Sequence, residues 1–242
     1  MVAPATKDVR TLFNDKAGSW QRKYGQNGKL NSRLERFMVR LSELSPPPAR
    51  ILDFGCGTGE MAAAIVGMGY EVAACDIAER MIEVARSAHS GSGVEWVCLN
   101  PEWKVLPFAD SSFDGIVASS VFEYLVDVRR VAAELSRVLR PGGILLLTVP
   151  NPFSYVRKLE GLLQWAIKSR WLPSPLRRVH RIDSYVTYLH LSHNRFDGSQ
   201  WQSVLAAAHF EPLDERDFST SAWRRQAKAP LILLAAKRGL GG

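Results

Sequence analysis

Cysteine is scarce in this sequence, and the spacing a metal would need is missing. Cys56, Cys75 and Cys98 are the only three, and each stands at or near the end of an apolar run with no second ligand at metal-binding distance along the chain. They are expected to be reduced thiols packed in a core, with no metal site. No apolar stretch approaches the roughly 18 residues of a membrane span. The first residues, MVAPATKDVRTLFND, have no apolar centre of signal-peptide length, so the expected location is the cytoplasm. Internal repeats and low-complexity tracts are also missing, which excludes solenoids and disordered linkers.

Acidic residues are short in particular places. The formal net charge is +7, which would suit a nucleic acid or an anionic membrane, but the excess is uneven. Residues 51–151 hold 13 Asp and Glu against 7 Lys and Arg, while 152–181 hold 1 against 7 and 221–242 none against 5. The middle of the chain is therefore acidic, and polyanion entry there is disfavoured. Nucleic acid is not the expected partner.

What the sequence does contain is alternation. ARILDF, YEVAACD, VEWVCLN, FDGIVASSV and GILLLTVP read as buried strands. Between them, GEMAAAIVGMG, ERMIEVARSA and VRRVAAELSRVLRPGG read as helices, the last stopped by Pro-Gly. Such alternation makes right-handed crossovers and a parallel sheet covered on both faces. GSQWQSVLAAAHF is expected as a further helix, with EPLDERDF and PLILLAAKR as the last two strands. The fold class is thus α/β, a Rossmann-like doubly wound sheet of seven strands, mostly parallel with the last antiparallel. It forms one domain over 1–242: a helical lid (1–48), a core (49–151), an insertion after the fifth strand (152–196) and the remaining sheet (197–242).

The first strand ends in LDFGCGTGE. A dinucleotide fingerprint would be G-x-G-x-x-G, with pyrophosphate on the helix N-terminus. Here the spacing is G-x-G-x-G, and Glu60 stands where the third small residue would be. A carboxylate there would repel pyrophosphate but would tolerate a cationic ligand without phosphate. S-adenosylmethionine is such a ligand, and Asp76, ending the second strand, is the acid expected for a ribose diol.

With LPFADSSFD and LRPGG following in order, residues 50–150 resemble the class I methyltransferases, closest to the ubiquinone and menaquinone branch of small-molecule methyltransferases. The resemblance implies S-adenosyl-L-methionine as cofactor. It implies that Asp53, Gly55, Cys56, Gly57 and Gly59 line its methionine end, that Asp76 holds the ribose, and that Ile77 and Met81 pack on the adenine. Ser119 would touch the methionine portion, and Phe122 and Tyr124 would stand near the transferred methyl group. Asn100 stands where the family has an Asp for the adenine amino group, and Glu123-Tyr124 where relatives often have Glu-His. In the lid, Trp20 and Tyr24 would lie over the cofactor or simply pack the helix on the sheet.

Methyl transfer from a sulfonium is an in-line displacement that needs positioning and exclusion of water but no metal. An oxygen acceptor also has to lose its proton, best to a His or carboxylate. The insertion offers Tyr155, His180, Asp183, Tyr185, Tyr188, His190 and His193, with His193 and then His190 as expected bases. Residues 153–172 space apolar side chains three or four apart, with Arg157, Lys158, Gln164 and Lys168 between them. This reads as an amphipathic helix with a basic face, either a lid over the pocket or a peripheral membrane contact. The expected substrate is a small-molecule or lipid-linked acceptor, with oxygen as the expected target atom because His and Tyr are frequent in the insertion. RNA or protein methylation and a non-catalytic cofactor-binding subunit remain as alternatives.

Overall fold

A computed structural model describes residues 6–23, 30–168 and 187–240. Tyr24 and, in the insertion, Trp171, His180, Asp183 and Tyr185 lie outside the described residues.

The helices α1 (Thr6–Trp20) and α2 (Asn31–Leu44) precede the sheet. Then β1 (Arg50–Phe54), α3 (Glu60–Gly67), β2 (Glu71–Asp76), α4 (Glu79–Ala88) and β3 (Glu95–Cys98) build one half. The other half begins with β4 (Phe113–Ala118), α5 (Val128–Val138) and β5 (Leu139–Pro150). After α6 (Tyr155–Lys168) the chain completes α7 (Gly198–Ala206), β6 (Phe210–Pro212), α8 (Thr220–Arg225) and β7 (Leu231–Arg238). The seven strands lie in the order β3-β2-β1-β4-β5-β7-β6. The pairs from β3 to β5 are parallel, and β7 runs antiparallel to both β5 and β6.

Period-two alternation divides each strand between two cores. Leu52, Phe54, Ala73, Cys75, Ile116 and Leu145 face α5 and α7, whose Val131, Leu135, Trp201 and Val204 cover them. Ile51, Val72, Ala74, Val117 and Leu146 face the other way, against Phe37 and Leu41 of α2 and Met61 and Ile65 of α3. Burial on both faces explains why these strands read as continuous apolar runs.

Two boundaries differ from expectation. The helix before Pro141 ends at Val138, and the strand begins at Leu139, because a residue preceding proline is kept out of helical conformation. Leu139 pairs with Phe113, and pairing resumes only at Ile144 with Gly115, so the Pro-Gly-Gly stretch bulges out of β5. Of EPLDERDF only Glu211 and Pro212 are strand, within β6 (Phe210–Pro212). Asp214 then accepts the backbone N–H of Arg216 at 2.9 Å and starts a short 3-10 turn over Glu215–Phe218.

The insertion helix is seated the other way round from a solvated basic face. Arg157 and Glu160 are buried, while Tyr155, Val156, Leu159, Leu162 and Trp165 are exposed, Trp165 to 64%. No helix among the described residues is long and apolar enough to cross a membrane.

Candidate functional site

Strand order reverses between β1 and β4, and in an open α/β sheet that reversal leaves a crevice beyond the carboxyl ends of the strands. A cavity of about 370 Å³ opens there. It is bounded by the turn after β1, the ends of β2 and β4, and the lid helices α1 and α2.

The turn is shaped by glycine. Gly55 has φ +77°, and a Cβ on it would come within 2.4 Å of Val121. Gly57 has φ +55° and faces the indole of Trp20, whose nitrogen would stand 3.5 Å from an added Cβ. Both carboxylate oxygens of Asp76 accept backbone amides, from Gly57 at 2.9 Å and from Ala78 at 2.8 Å, so the acid at the end of β2 braces the turn after β1. Asp53 is 1% exposed, and its Oδ2 has no hydrogen-bond partner among the described residues. Burial, and next to it the charge of Asp76, pushes its carboxyl up to about 8. Burial raises Asp76 as well. The Ser119 hydroxyl is a second buried oxygen without a partner among the described residues.

Asp53, Gly55, Cys56, Gly57, Asp76, Ile77, Met81, Ser119 and Tyr124 all line this one cavity, as does Trp20. Gly59 does not. It adopts φ +87° at the start of α3, and an added Cβ would lie 2.4 Å from Trp96 and 3.1 Å from Ala85. Its smallness lets β3 and α4 approach the turn from behind. Glu60 also points away from the cavity, with its carboxylate taking the Thr58 hydroxyl at 2.7 and 2.8 Å. The acids that face the cavity, in place of Glu60, are therefore Asp53 and Asp76.

Asn100 is outside the cavity wall. Its side-chain oxygen accepts the Glu102 backbone N–H at 2.8 Å, an Asx turn that presents Pro101, Glu102 and Trp103 to the cavity instead. The Trp103 ring is fixed by Arg130 on its face at 4.7 Å and by the Phe54 ring at 6.0 Å.

Neither histidine reaches the cavity. His193 has Nδ1 2.7 Å from the Leu191 carbonyl and Nε2 3.0 Å from the Leu125 carbonyl, so both ring nitrogens are occupied by backbone. His190 is exposed on the turn of helix at 187–191. Tyr124 does face the cavity, with its ring edge-on to Phe13 at 5.2 Å. Burial and the neighbouring Glu123 charge hold its phenol well above the usual tyrosine range, so it acts as a hydrogen-bond donor and not as a base.

Sequence reasoning missed Arg33 of α2, which lines the cavity and donates to the Ser120 hydroxyl at 2.8 Å. Its signal, one of three arginines along α2, is indistinguishable from a solvated charge. It also missed the pairing of Glu123 and Arg157 described below.

Comparison with known proteins agrees with this geometry. The methyltransferase domain family matches residues 52–147, from β1 through β5. A demethylmenaquinone methyltransferase of Clavibacter sepedonicus is 31% identical over 87% of this chain and 85% of its own length. A ubiquinone biosynthesis O-methyltransferase of Sinorhizobium fredii is 31% identical over 59% of this chain and 57% of its own. The match to the bifunctional biotin biosynthesis protein of Cellvibrio japonicus, 41% identical, spans only 21% of that protein. Among solved structures, the S-adenosylmethionine dependent methyltransferase of Mesorhizobium loti superposes with TM-score 0.57 at 20% identity, covering 85% of this chain and all of that one. The [4+2]-cyclase SpnF superposes at 0.65 with 16% identity over 100% of this chain and 99% of its own, a likeness of fold alone. The chain belongs to the class I S-adenosylmethionine-dependent methyltransferases, on the branch that holds the ubiquinone and menaquinone methyltransferases.

The cavity fits S-adenosylmethionine. The ligand is a zwitterion with an ammonium, a carboxylate and a sulfonium but no phosphate, and around its glycine turn the cavity offers the buried Asp53, the half-buried Asp76 and the arginines Arg33 and Arg130. The Asp53 oxygen and the Ser119 hydroxyl, unpartnered among the described residues, leave one acceptor and one donor for such a ligand to satisfy.

Proposed function

We propose that this enzyme methylates a flat, largely apolar acceptor on an acidic oxygen, a phenol or an enol conjugated to a carbonyl. The supporting observation is the wall around Tyr124. Phe13, Trp20 and Tyr124 present aromatic surface, and neither histidine of the insertion expected as base reaches it. An acceptor hydroxyl that ionises readily needs no such base, and the Tyr124 phenol can donate to the resulting oxygen. The names of the relatives, which point to quinone precursors, agree with an acceptor of this kind.

S-adenosylmethionine supplies a methyl group already activated on sulfur. Around it, Asp53 takes the ammonium, Arg33 and the Ser119–Ser120 hydroxyls take the carboxylate, and Asp76 takes the ribose hydroxyls. Ile77 and Met81 pack against the adenine, and Glu102 replaces Asn100 as the acid near its amino group. The catalytic work of the chain is orientation and exclusion of water by the lid. Exposing extracts to the enzyme with a trideuteromethyl donor and searching by mass spectrometry for a phenol or enol that gains one labelled methyl tests the reading. Labelling confined to RNA, protein or amines overturns it.

The role of Arg33 has its own test. Arg33→Gln is expected to weaken S-adenosylhomocysteine about 10- to 100-fold by calorimetry, since charge-assisted bonds are worth about 1.5–3 kcal/mol. Decarboxylated S-adenosylmethionine, which lacks the carboxylate, should lose little. Equal losses for both ligands would show that Arg33 acts elsewhere.

The exposed side of α6 supports a peripheral contact with an anionic membrane on the cytoplasmic side, where the three free cysteines stay reduced. Tyr155, Leu159, Leu162 and Trp165 form its apolar strip. Exposed Lys158, Arg224, Arg225 and Lys228 flank it, the last three brought close because the Tyr155 N–H bonds the Ala227 carbonyl at 3.0 Å. The wild type is expected to pellet with phosphatidylglycerol vesicles and not with phosphatidylcholine ones. Leu162→Glu with Trp165→Glu should abolish pelleting, and wild-type protein that stays in the supernatant with both lipids removes the membrane reading.

A further inference from the structure

Among the described residues, four charged groups, three of them with almost no access to water and Arg195 half-buried, join the insertion to the end of β4. The Glu123 carboxylate accepts the Ser192 hydroxyl at 2.6 Å and Arg157 at 3.3 Å, and Arg157 also reaches the Glu160 carboxylate at 3.0 Å. Arg195 donates to the same Glu160 oxygen at 3.0 Å, and the Tyr188 hydroxyl bonds Arg157. The side chains of Arg157, Glu123 and Glu160 are 5%, 4% and 6% exposed. Formally, two carboxylates face two guanidinium groups, and the cluster is neutral.

A second layer of bonds acts on the backbone. The Glu123 carbonyl accepts the N–H groups of His193 and Asn194 at 3.0 and 3.3 Å. The Asn194 side chain donates to the carbonyls of Phe122 and Leu125 at 2.9 and 2.6 Å. Together with the His193 ring on Leu125, these bonds grip the short turn Phe122–Tyr124 from its two ends. That turn carries the Tyr124 ring into the cavity. Tyr188 completes the connection, since its hydroxyl is on Arg157 and its ring lies 6.3 Å from that of Tyr124.

Buried ion pairs rarely exceed apolar packing as a source of stability, because desolvation offsets most of the attraction. What they impose is geometry, since each partner must be met at a fixed distance and angle. We infer that Glu123 and Arg157 are positioning residues for Tyr124, fixing where its phenol stands relative to the transferred methyl group. They act through the turn and through Tyr188, and they touch neither cofactor nor acceptor. The inference rests on the reading of Tyr124 as part of the acceptor wall.

The experiment is fluorine NMR of the full chain with 3-fluorotyrosine at every tyrosine. Tyr124→Phe assigns the Tyr124 line, and Tyr70, whose hydroxyl donates to the Ser45 carbonyl away from the cluster, is the reference. Two variants are compared with wild type: Ser192→Ala, which removes one small hydroxyl from Glu123, and the pair Glu123→Leu with Arg157→Leu, which replaces both charges at once. In each, the Tyr124 line is expected to move by more than its width, or to split, while the Tyr70 line stays. A Tyr124 line that coincides with wild type in Ser192→Ala, and in the pair if that folds, overturns the inference. S-adenosylhomocysteine added to wild-type protein tests the underlying reading separately: it should move the Tyr124 line, and a line that ignores it removes Tyr124 from the site whatever the variants show.

Discussion

Asp53→Asn is expected to make the free enzyme more stable at pH 7 and to bind the cofactor worse. The Asp53 carboxyl titrates near 8 in the folded chain, against about 3.9 in an unfolded one. Between these values the folded state holds a proton that the unfolded state has released, so stability is highest below pH 4 and falls as the pH rises toward 8. Asparagine keeps the shape and removes the proton linkage, and should return ~2–4 kcal/mol at pH 7. That corresponds to a melting temperature higher by roughly 5–10 °C. Differential scanning calorimetry at pH 5 and pH 8 checks the sign: the variant's advantage must grow with pH. An advantage that is constant or shrinks would mean that Asp53 is ionised in the free enzyme.

The same linkage runs through cofactor binding. If the ligand ammonium sits on the Asp53 carboxylate, binding favours the ionised form, and below pH 8 each binding event expels a proton. Affinity for S-adenosylhomocysteine should then rise with pH from 6 to about 8, by at most about tenfold per unit, and level off. In Asp53→Asn the slope should vanish and the affinity at pH 8 should drop by about 100-fold. Calorimetry in two buffers of different ionisation enthalpy counts the proton directly. No proton released by wild type at pH 7 would remove Asp53 from the ammonium.

How far the sequence could be read depended on whether a residue's pattern also told its direction. The sheet was legible because continuous apolar runs between helices have one solution, and five of the strands lie where the runs were. The glycine turn was legible for the same reason, since Asp53, Gly55, Gly57 and Asp76 converge on one cavity. Asn100 was expected at the cavity, but its turn presents Glu102 there instead, a matter of two residues of loop path. His193 looked like a base by type, but its ring is spent on two carbonyls that come from different parts of the chain. In α6 the spacing showed two faces without showing which was inward. That depended on Glu123, 34 residues earlier, whose buried carboxylate draws Arg157 under the helix.

Gly55 and Gly59 look equivalent in GCGTGE, and the structure separates them into two different experiments. Gly55→Ala puts a methyl 2.4 Å from a Val121 methyl at φ +77° on the cavity wall. Valine is stiff about χ1, so Val121 can yield only by shifting as a whole into the cavity; cofactor affinity is expected to fall at least about tenfold while stability drops by ~1–2 kcal/mol, the left-handed backbone cost. Gly59→Ala meets the Trp96 ring at 2.4 Å and Ala85 at 3.1 Å, both inside the packing of β3 and α4. Relieving both contacts means moving the Trp96 ring and Ala85 of α4 together, so overpacking adds to the backbone cost and stability should fall by ~3–5 kcal/mol. Affinity measured on the fraction still folded, at low temperature, should change less than in Gly55→Ala, because Gly59 does not face the ligand. Urea unfolding and calorimetric titration of the two variants side by side decide the matter. If Gly59→Ala lost affinity but kept its stability, Gly59 would belong to the cofactor cradle and not to the packing behind it.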